Sequence, residues 1–584
     1  SFVGDLPKRV HHLVPEVPMA ERMSRRSTQV AGWTLAAAAT YAAVFVLPYR
    51  FPPSEPVWSA TWIAGADNRA AAAGLALVSL AVALACRLRG GRIPETGTPQ
   101  PLDRRFLYGG MAIAVLWTLG LGWAVARAHV YWGDEGYFLN QLRAGLVFHR
   151  ALYREVEFAY GPALYWWPAL FVRMLAPLGV SMTAAYLAAL AVLQCLGLML
   201  LSYTVDALPM RRSLKACAFL LIAFGTLNSL LGVNYSVFRF VLPLAAAVFL
   251  ARRRTWLAAA AVAGVGEMAT MAVSPELGVA FGGAVVAVAA LRRGRWMWSL
   301  AGAAAGAGLF ARLAGPASFF TLRNMAKGGF NLLLTPAPHL LALLLAVAVL
   351  APLAVARTLR QDQPGPLLPA LYLAALGMLP AALGRCDPIH CFFGGIGFYL
   401  LAFVALDAAP AGWRRTSILA LALVFAFAQA KNVWVYQYRL GVLLHRRPIQ
   451  EDDGFDEAKL LKTLGGARIS LPVLAPERVV EDLTRSGQYV PSYFCGMAGV
   501  WDRETERRKI AEMRRTEFTL VALSDAALPN PAEDREIARR MRMGLANHPP
   551  RPAYVRGALI DEELKEHWLP LGTYRDYQLF RQQH

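Results

Sequence analysis

Through the first 435 residues, sparsely charged apolar runs long enough to cross a bilayer follow one another with mostly short connections. A spanning helix needs about 20 mostly apolar residues, and lipid offers no partner to an unpaired backbone group. Such a chain can fold only as a bundle of membrane helices. The runs lie near 31–48, 69–88, 107–128, 182–206, 214–231, 236–251, 256–273, 277–291, 297–313, 336–356, 365–384, 391–409 and 416–433, about 13 in all. The whole chain is 56% apolar and 17% charged, which excludes disorder and an ordinary soluble domain. Its net charge of +20 is unevenly spread. Residues 1–450 carry 39 Lys and Arg against 17 Asp and Glu, whereas 451–584 carry 20 against 22. A basic excess inside apolar sequence reflects membrane topology and not nucleic-acid binding.

Threading the runs alternately puts every short basic loop on one side: 87–105, 211–215, 252–254, 292–295, 357–360 and 414–415. The positive-inside rule makes that side cytoplasmic, together with the N-terminal segment 1–30. The transmembrane domain then covers 31–435, with a large outer loop at 129–181 and a second at 314–335. Within the first, the stretch from Tyr160 to Pro177 is expected to lie in the interface, with Tyr165, Trp166 and Trp167 at headgroup depth. The small-residue run Ala301–Gly308 reads as close helix packing. Composition changes after about 440 to a charged, mixed pattern. Strands at 467–474 and 517–523 with helices at 476–485 and 504–515 predict a small α/β domain over 440–584, placed outside by parity.

Charge within or beside a bilayer is costly, so each such group is a candidate site. The acids concentrate on the outer side: Asp134, Glu135, Glu155, Glu157, Glu276 and Asp387, with Glu267 inside a predicted helix, where it needs a partner or a cavity. The densest string is Tyr131-Trp-Gly-Asp-Glu-Gly-Tyr137, which taken alone also suits a polar turn leaving the membrane. It continues through Ala144-Gly145, Ala151-Leu-Tyr-Arg-Glu155 and Tyr160-Gly-Pro-Ala-Leu-Tyr-Trp-Trp-Pro168.

With that continuation the chain resembles the membrane glycosyltransferases that use polyprenyl-phosphate sugars. These form the GT-C superfamily, and the likeness is to its protein O-mannosyltransferase and aminoarabinose-transferase-like branch. That group places an acidic pair at the start of its first large outer loop, followed by a Gly-rich stretch and a Pro-containing aromatic helix. Two departures stand out. The pair here follows the third span, not the first, and Tyr160-Gly-Pro-Ala-Leu164 replaces a Lys-Pro-Pro-Leu string, so no lysine contact carries over. The resemblance implies a bacterial-type inner-membrane enzyme with a polyprenyl-phosphate sugar donor and a glycan, lipid or protein acceptor.

Sugar transfer from a lipid phosphate to a hydroxyl needs a carboxylate to take the acceptor proton and cations or a metal for the departing phosphate. Asp134 is the candidate base, and Glu135 orients it, touches the acceptor or shares a Mg or Mn ion with it. Gly384-Arg-Cys-Asp-Pro-Ile-His-Cys391 supplies Arg385 for the phosphate, with Asp387 and His390 orienting it or the sugar. The alternatives here are a helix-capping Asp387, a metal held by Cys386, His390 and Cys391, and a Cys386–Cys391 disulfide. Arg239, Lys327 and Arg323 are alternative candidates for the phosphate, and Lys327 beside Gly328-Gly329 also suits a mobile lid or the headgroup layer. Glu276 is either a cavity carboxylate or a helix-start acid, and Tyr137 and Tyr160 join it as candidates for the acceptor side. A lipid-linked glycan polymerase or ligase, or a transporter, are the competing classes; no internal repeat of the kind transporters use is visible.

Overall fold

The computed structural model describes residues 19–52, 59, 61, 64–88, 101–128, 135–226, 234–328, 331–361, 365–409, 412, 414–416, 418, 465–470, 477–494, 502–515, 520–524, 558–574 and 577–583. It is mostly helical. Each apolar run except 416–433, which lies almost wholly outside the described residues, coincides with a helix where it is described. Among the described residues, eight helices are long and apolar enough to cross a membrane: Val30–Arg50, Asn68–Leu88, Met182–Ala207, Trp256–Val273, Pro275–Arg292, Pro338–Leu359, Leu367–Arg385 and Pro388–Asp407. Eight of the 13 expected spans thus meet this criterion within the described residues. Helices such as Ser236–Ala251 are shorter and surrounded by protein, where backbone groups are satisfied without a full bilayer crossing.

Local chemistry sets the helix starts. Ser181 and Thr255 accept from the backbone N–H of Ala184 and Ala258, and Asp387 accepts from that of His390 at 2.9 Å. Pro275, Pro338 and Pro388 stand at first helical positions, where a missing N–H costs nothing. Lipid-facing positions stay apolar, among them Leu77, Leu84, Val265, Val279 and Leu313. The run Ala301–Gly308 packs as expected. A Cβ on Gly302 would meet the Ala260 carbonyl oxygen at 2.2 Å, and one on Gly306 that of Gly264 at 2.1 Å, so helix Trp298–Ala314 lies backbone to backbone on Trp256–Val273.

Polar ties then fix the bundle's two ends. At one end the basic loops meet: Arg212 pairs with Asp103 at 2.6 Å, Arg211 with buried Asp407 at 3.3 Å, and Arg357 donates to the Ala405 carbonyl at 2.9 Å. At the other end the loops carrying the sequence motifs gather. Inside the bundle, Ser79 donates to the Val347 carbonyl, which leaves the Tyr372 hydroxyl, 2.6 Å away, to donate to Ser79. Glu267 does not have the full partnering expected of it: it is 7% exposed, faces Gly278, and its Oε2 has no hydrogen-bond partner among the described residues. Glu267→Gln should therefore stabilise the protein by about 1–3 kcal/mol, seen as a higher Tm in detergent. A lower Tm would show that the carboxylate has a partner in the membrane.

In the tail, the four-stranded sheet has order β1-β2-β4-β3, with β1 Ile469–Ser470, β2 Leu520–Ser524, β3 Trp568–Tyr574 and β4 Tyr577–Gln582. β1 and β2 are parallel, joined through helices Glu477–Arg485 and Arg503–Met513. β3 and β4 form an antiparallel hairpin that the sequence reading did not place; it follows helix Ala558–His567 and adds β4 to β2. Trp568 and Ile560 are buried in its core beside Phe494 and Met513.

Candidate functional site

Three groups of side chains meet at the motif-bearing end of the bundle. The first is an aromatic cluster built on helix Glu135–Leu146. Asp134 and the Glu135 side chain lie outside the described residues, but the helix itself begins at Glu135. One turn on, the Phe138 ring stacks on Tyr160 at 5.5 Å and meets Tyr235 at 5.0 Å. Tyr137 holds the loop behind them, its hydroxyl accepting from the Ala159 N–H at 2.8 Å. Tyr153 donates to the Tyr160 carbonyl at 2.6 Å. Gly161 docks this loop on helix Trp256–Val273: its N–H donates to the Val273 carbonyl, and a Cβ would strike the Ala272 carbonyl oxygen at 2.2 Å.

Arg239 closes this cluster. Its guanidinium sits 4.9 Å from the Tyr160 ring centroid and 4.8 Å from that of Phe240. It donates to Ser274 Oγ at 2.8 Å and pairs with Glu276, to which Ser274 also donates at 2.6 Å. Arg239 is largely buried while the Glu276 side chain is 46% exposed, so the carboxylate forms the open face of the pair. Glu276 is thus both a helix-start acid and an arginine partner.

The second group is the turn between helices Leu379–Arg385 and Pro388–Asp407. Asp387 caps the second helix and also meets Arg385 and His390. The His390 Nδ1 lies 2.9 Å from each Asp387 oxygen, and the Arg385 Nε 3.4 Å from Oδ2. A carboxylate only accepts, so His390 carries its proton on Nδ1. Burial alone would raise the Asp387 carboxyl, but the charge and hydrogen bonds of His390, with Arg385 behind them, hold it well below the usual carboxylate range. Asp387 is 9% exposed against 42% for Arg385 and 29% for His390, so a buried anion lies behind two more exposed nitrogen donors. Phe240 stacks on Phe393 at 5.7 Å, which joins the Arg239 helix to the His390 helix.

Asn68 fixes this turn from a distance, and nothing in the sequence reading singled it out. Its side-chain amide donates to the carbonyls of Leu332, Leu383 and Gly384 at 2.7, 2.8 and 3.0 Å, one N–H being shared. The metal alternative is also revised. His390 faces Asp387, and it is His339, with its Nε2 3.0 Å from the Cys386 carbonyl, that joins the free thiols of Cys386 and Cys391. Donor atoms of these three residues all lie within 4.8 Å of one another, a candidate metal site.

The third group joins the membrane bundle to the tail. Lys327 pairs with Asp502 and with Glu504 at 3.2 Å, and Arg323 meets Glu504 at 3.0 Å. The Arg508 guanidinium lies 3.4 Å from the Phe320 ring centroid. Below them, buried Glu157 donates its backbone N–H to the Tyr493 carbonyl at 2.9 Å, while its carboxyl meets Asn324 at 3.5 Å. Burial pushes that carboxyl up to about 8; Asn324 and Lys509 oppose the rise and Glu512 adds to it. A carboxyl raised in the folded state binds its proton more tightly there than when unfolded. Its contribution is complete below about pH 4.5 and is lost as pH climbs through about 8. The Tm in detergent should therefore fall over that window, and Glu157→Gln should flatten the slope. An unchanged slope in the variant would assign the titration to another group.

The fold and these groups define the class: a polytopic helical membrane protein whose motif-bearing end carries carboxylate-ordered cations over an aromatic cluster, with an α/β tail docked on it. No protein-family model matches the chain, and no curated protein matches it either. Among solved structures, it is similar to an Archaeoglobus fulgidus oligosaccharyltransferase in the apo form, at 10% identity and TM-score 0.43, over 74% of this chain and 71% of that one. It is also similar to ArnT from Cupriavidus metallidurans, at 12% identity and TM-score 0.41, over 82% of this chain and 98% of that one. A third is the arabinofuranosyltransferase AftD from Mycobacteria, at 14% identity and TM-score 0.41, over 85% of this chain and 41% of that one.

Proposed function

We propose that the protein is a GT-C-type glycosyltransferase that moves a sugar from a polyprenyl-phosphate donor to an acceptor on the outer side of a bacterial inner membrane. The observation that carries this reading is the arrangement around Phe138. One ring, Tyr160, separates Arg239 from the helix that opens at Glu135, and Phe240 on Phe393 links Arg239 to the Arg385–Asp387–His390 turn. The candidate phosphate-binding cations and the helix that opens at Glu135 thus belong to one packed unit at one bundle end.

In the reaction, the acceptor hydroxyl oxygen attacks the anomeric carbon as the carbon–phosphate-oxygen bond breaks. The phosphate leaves with the electron pair, and the acceptor proton passes to Asp134. Displacement from the opposite face inverts the anomeric centre. Arg385 meets the phosphate as a fork, with Asp387 and His390 holding its geometry. Arg239 offers a second cation once a phosphate competes with Glu276 for it. Asp134 and Glu135 are also the residues that would hold a divalent ion, which when bound supplies further positive charge near the leaving phosphate. Lys327 clamps the tail to the bundle, and the tail shapes access for the acceptor.

The test is turnover of a panel of radiolabelled polyprenyl-phosphate and polyprenyl-pyrophosphate sugars by the purified protein, with membrane extract as acceptor source. Release or transfer from a monophosphate donor is expected. Use of pyrophosphate donors alone would replace this reading with a lipid-linked glycan polymerase or ligase. No turnover by folded protein would remove the enzyme reading.

A further inference from the structure

We infer that His339, Cys386 and Cys391 form a binding site for a soft divalent ion, zinc by its chemistry, which clips the Arg385–His390 turn to the segment leading into helix Pro338–Leu359. The three donors come from two separate stretches of chain and converge among apolar neighbours, with both thiols buried. Buried cysteines are commonly inert small hydrophobes. These two differ in having a ring nitrogen of His339 within 4.8 Å of both sulfurs.

The geometry suits zinc. Tetrahedral Zn–S and Zn–N bonds place donors roughly 3.5–3.8 Å apart, and these donors lie within 4.8 Å, so rotations about side-chain bonds close the set. Two thiolates and an imidazole select zinc over magnesium or manganese, which prefer oxygen. This site is therefore distinct from a divalent ion at Asp134 and Glu135, and it stands whether or not the chain transfers sugars. Three protein ligands leave one coordination position for water.

The consequence is mechanical. His339 follows the 331–337 stretch, whose Leu332 N–H donates to the Gly384 carbonyl, and Asn68 bonds to both segments. A bound ion would add a further tie across the same junction, next to Arg385.

The experiment uses the full chain purified in detergent, with any affinity tag removed. Bound metal is measured by mass spectrometry, and cobalt is then added to the metal-free protein. One zinc per chain and a thiolate-to-cobalt charge-transfer absorption are expected. His339→Gln and Cys391→Ser should each weaken zinc binding by more than the roughly 10–100-fold that loss of an outer-shell partner costs. Should Cys391→Ser fail to fold, wild-type stoichiometry and His339→Gln decide. Absence of both zinc and the cobalt band overturns the site. So does a Cys386–Cys391 disulfide in the purified protein, or zinc retained undiminished in His339→Gln.

Discussion

Asp134→Asn should lower turnover of the polyprenyl-phosphate donor by about 10²–10⁴-fold, with little change in KM. Asparagine keeps the size and hydrogen bonding of the side chain but cannot accept the acceptor's proton. The loss therefore falls on the chemical step and leaves donor binding to the cations. Glu135→Gln should cost less if Glu135 only orients its neighbour. Single-turnover measurements with wild type and both variants separate the two roles. Undiminished turnover in Asp134→Asn would take the base away from this position and move it to Glu135 or Glu276.

Arg385→Ala should lower kcat/KM by about 10²–10³-fold, the scale expected for losing one preorganised charge at a developing anion. The environment explains why the loss should be large. Asp387 lies at 9% exposure between Arg385 and His390, so the guanidinium is held in place before a phosphate arrives. Arg385→Lys should recover only part of the activity, because an ammonium lacks the planar fork. Asp387→Asn acts through its neighbours, as a positioning change. It should raise KM for the donor while changing kcat less, a split that steady-state kinetics reads directly. Full activity in Arg385→Ala would assign the phosphate to Arg239.

Much of the architecture was legible because hydropathy is a local property. Each apolar run reports its own length against the bilayer, and Asp387 announces the helix it caps. The meeting of the basic loops at one end follows from the same pattern. The tail was read less completely. Its hairpin strands, with Pro570 and Gly572 inside β3, lack the clean alternation that marks a half-buried strand, and β4 joins the sheet through β2, more than fifty residues before it in the chain.

The candidate site divides in the same way. The sequence alone determined which residue types were available at the loops: an acidic pair at 134–135, an Arg-x-Asp-x-x-His turn at 385–390, and isolated charges at 239, 276 and 327. Only the tertiary structure decided their partners. Arg239 turned to Glu276, Lys327 to the tail, and His390 to Asp387, while His339 took the place beside the two cysteines. Asn68, unremarkable in sequence, became the tie that holds the Arg385 turn. The physical reason is that transfer from water to lipid is charged to each residue where it stands, whereas an ion pair or hydrogen bond forms only between groups that helix packing brings within a few ångströms.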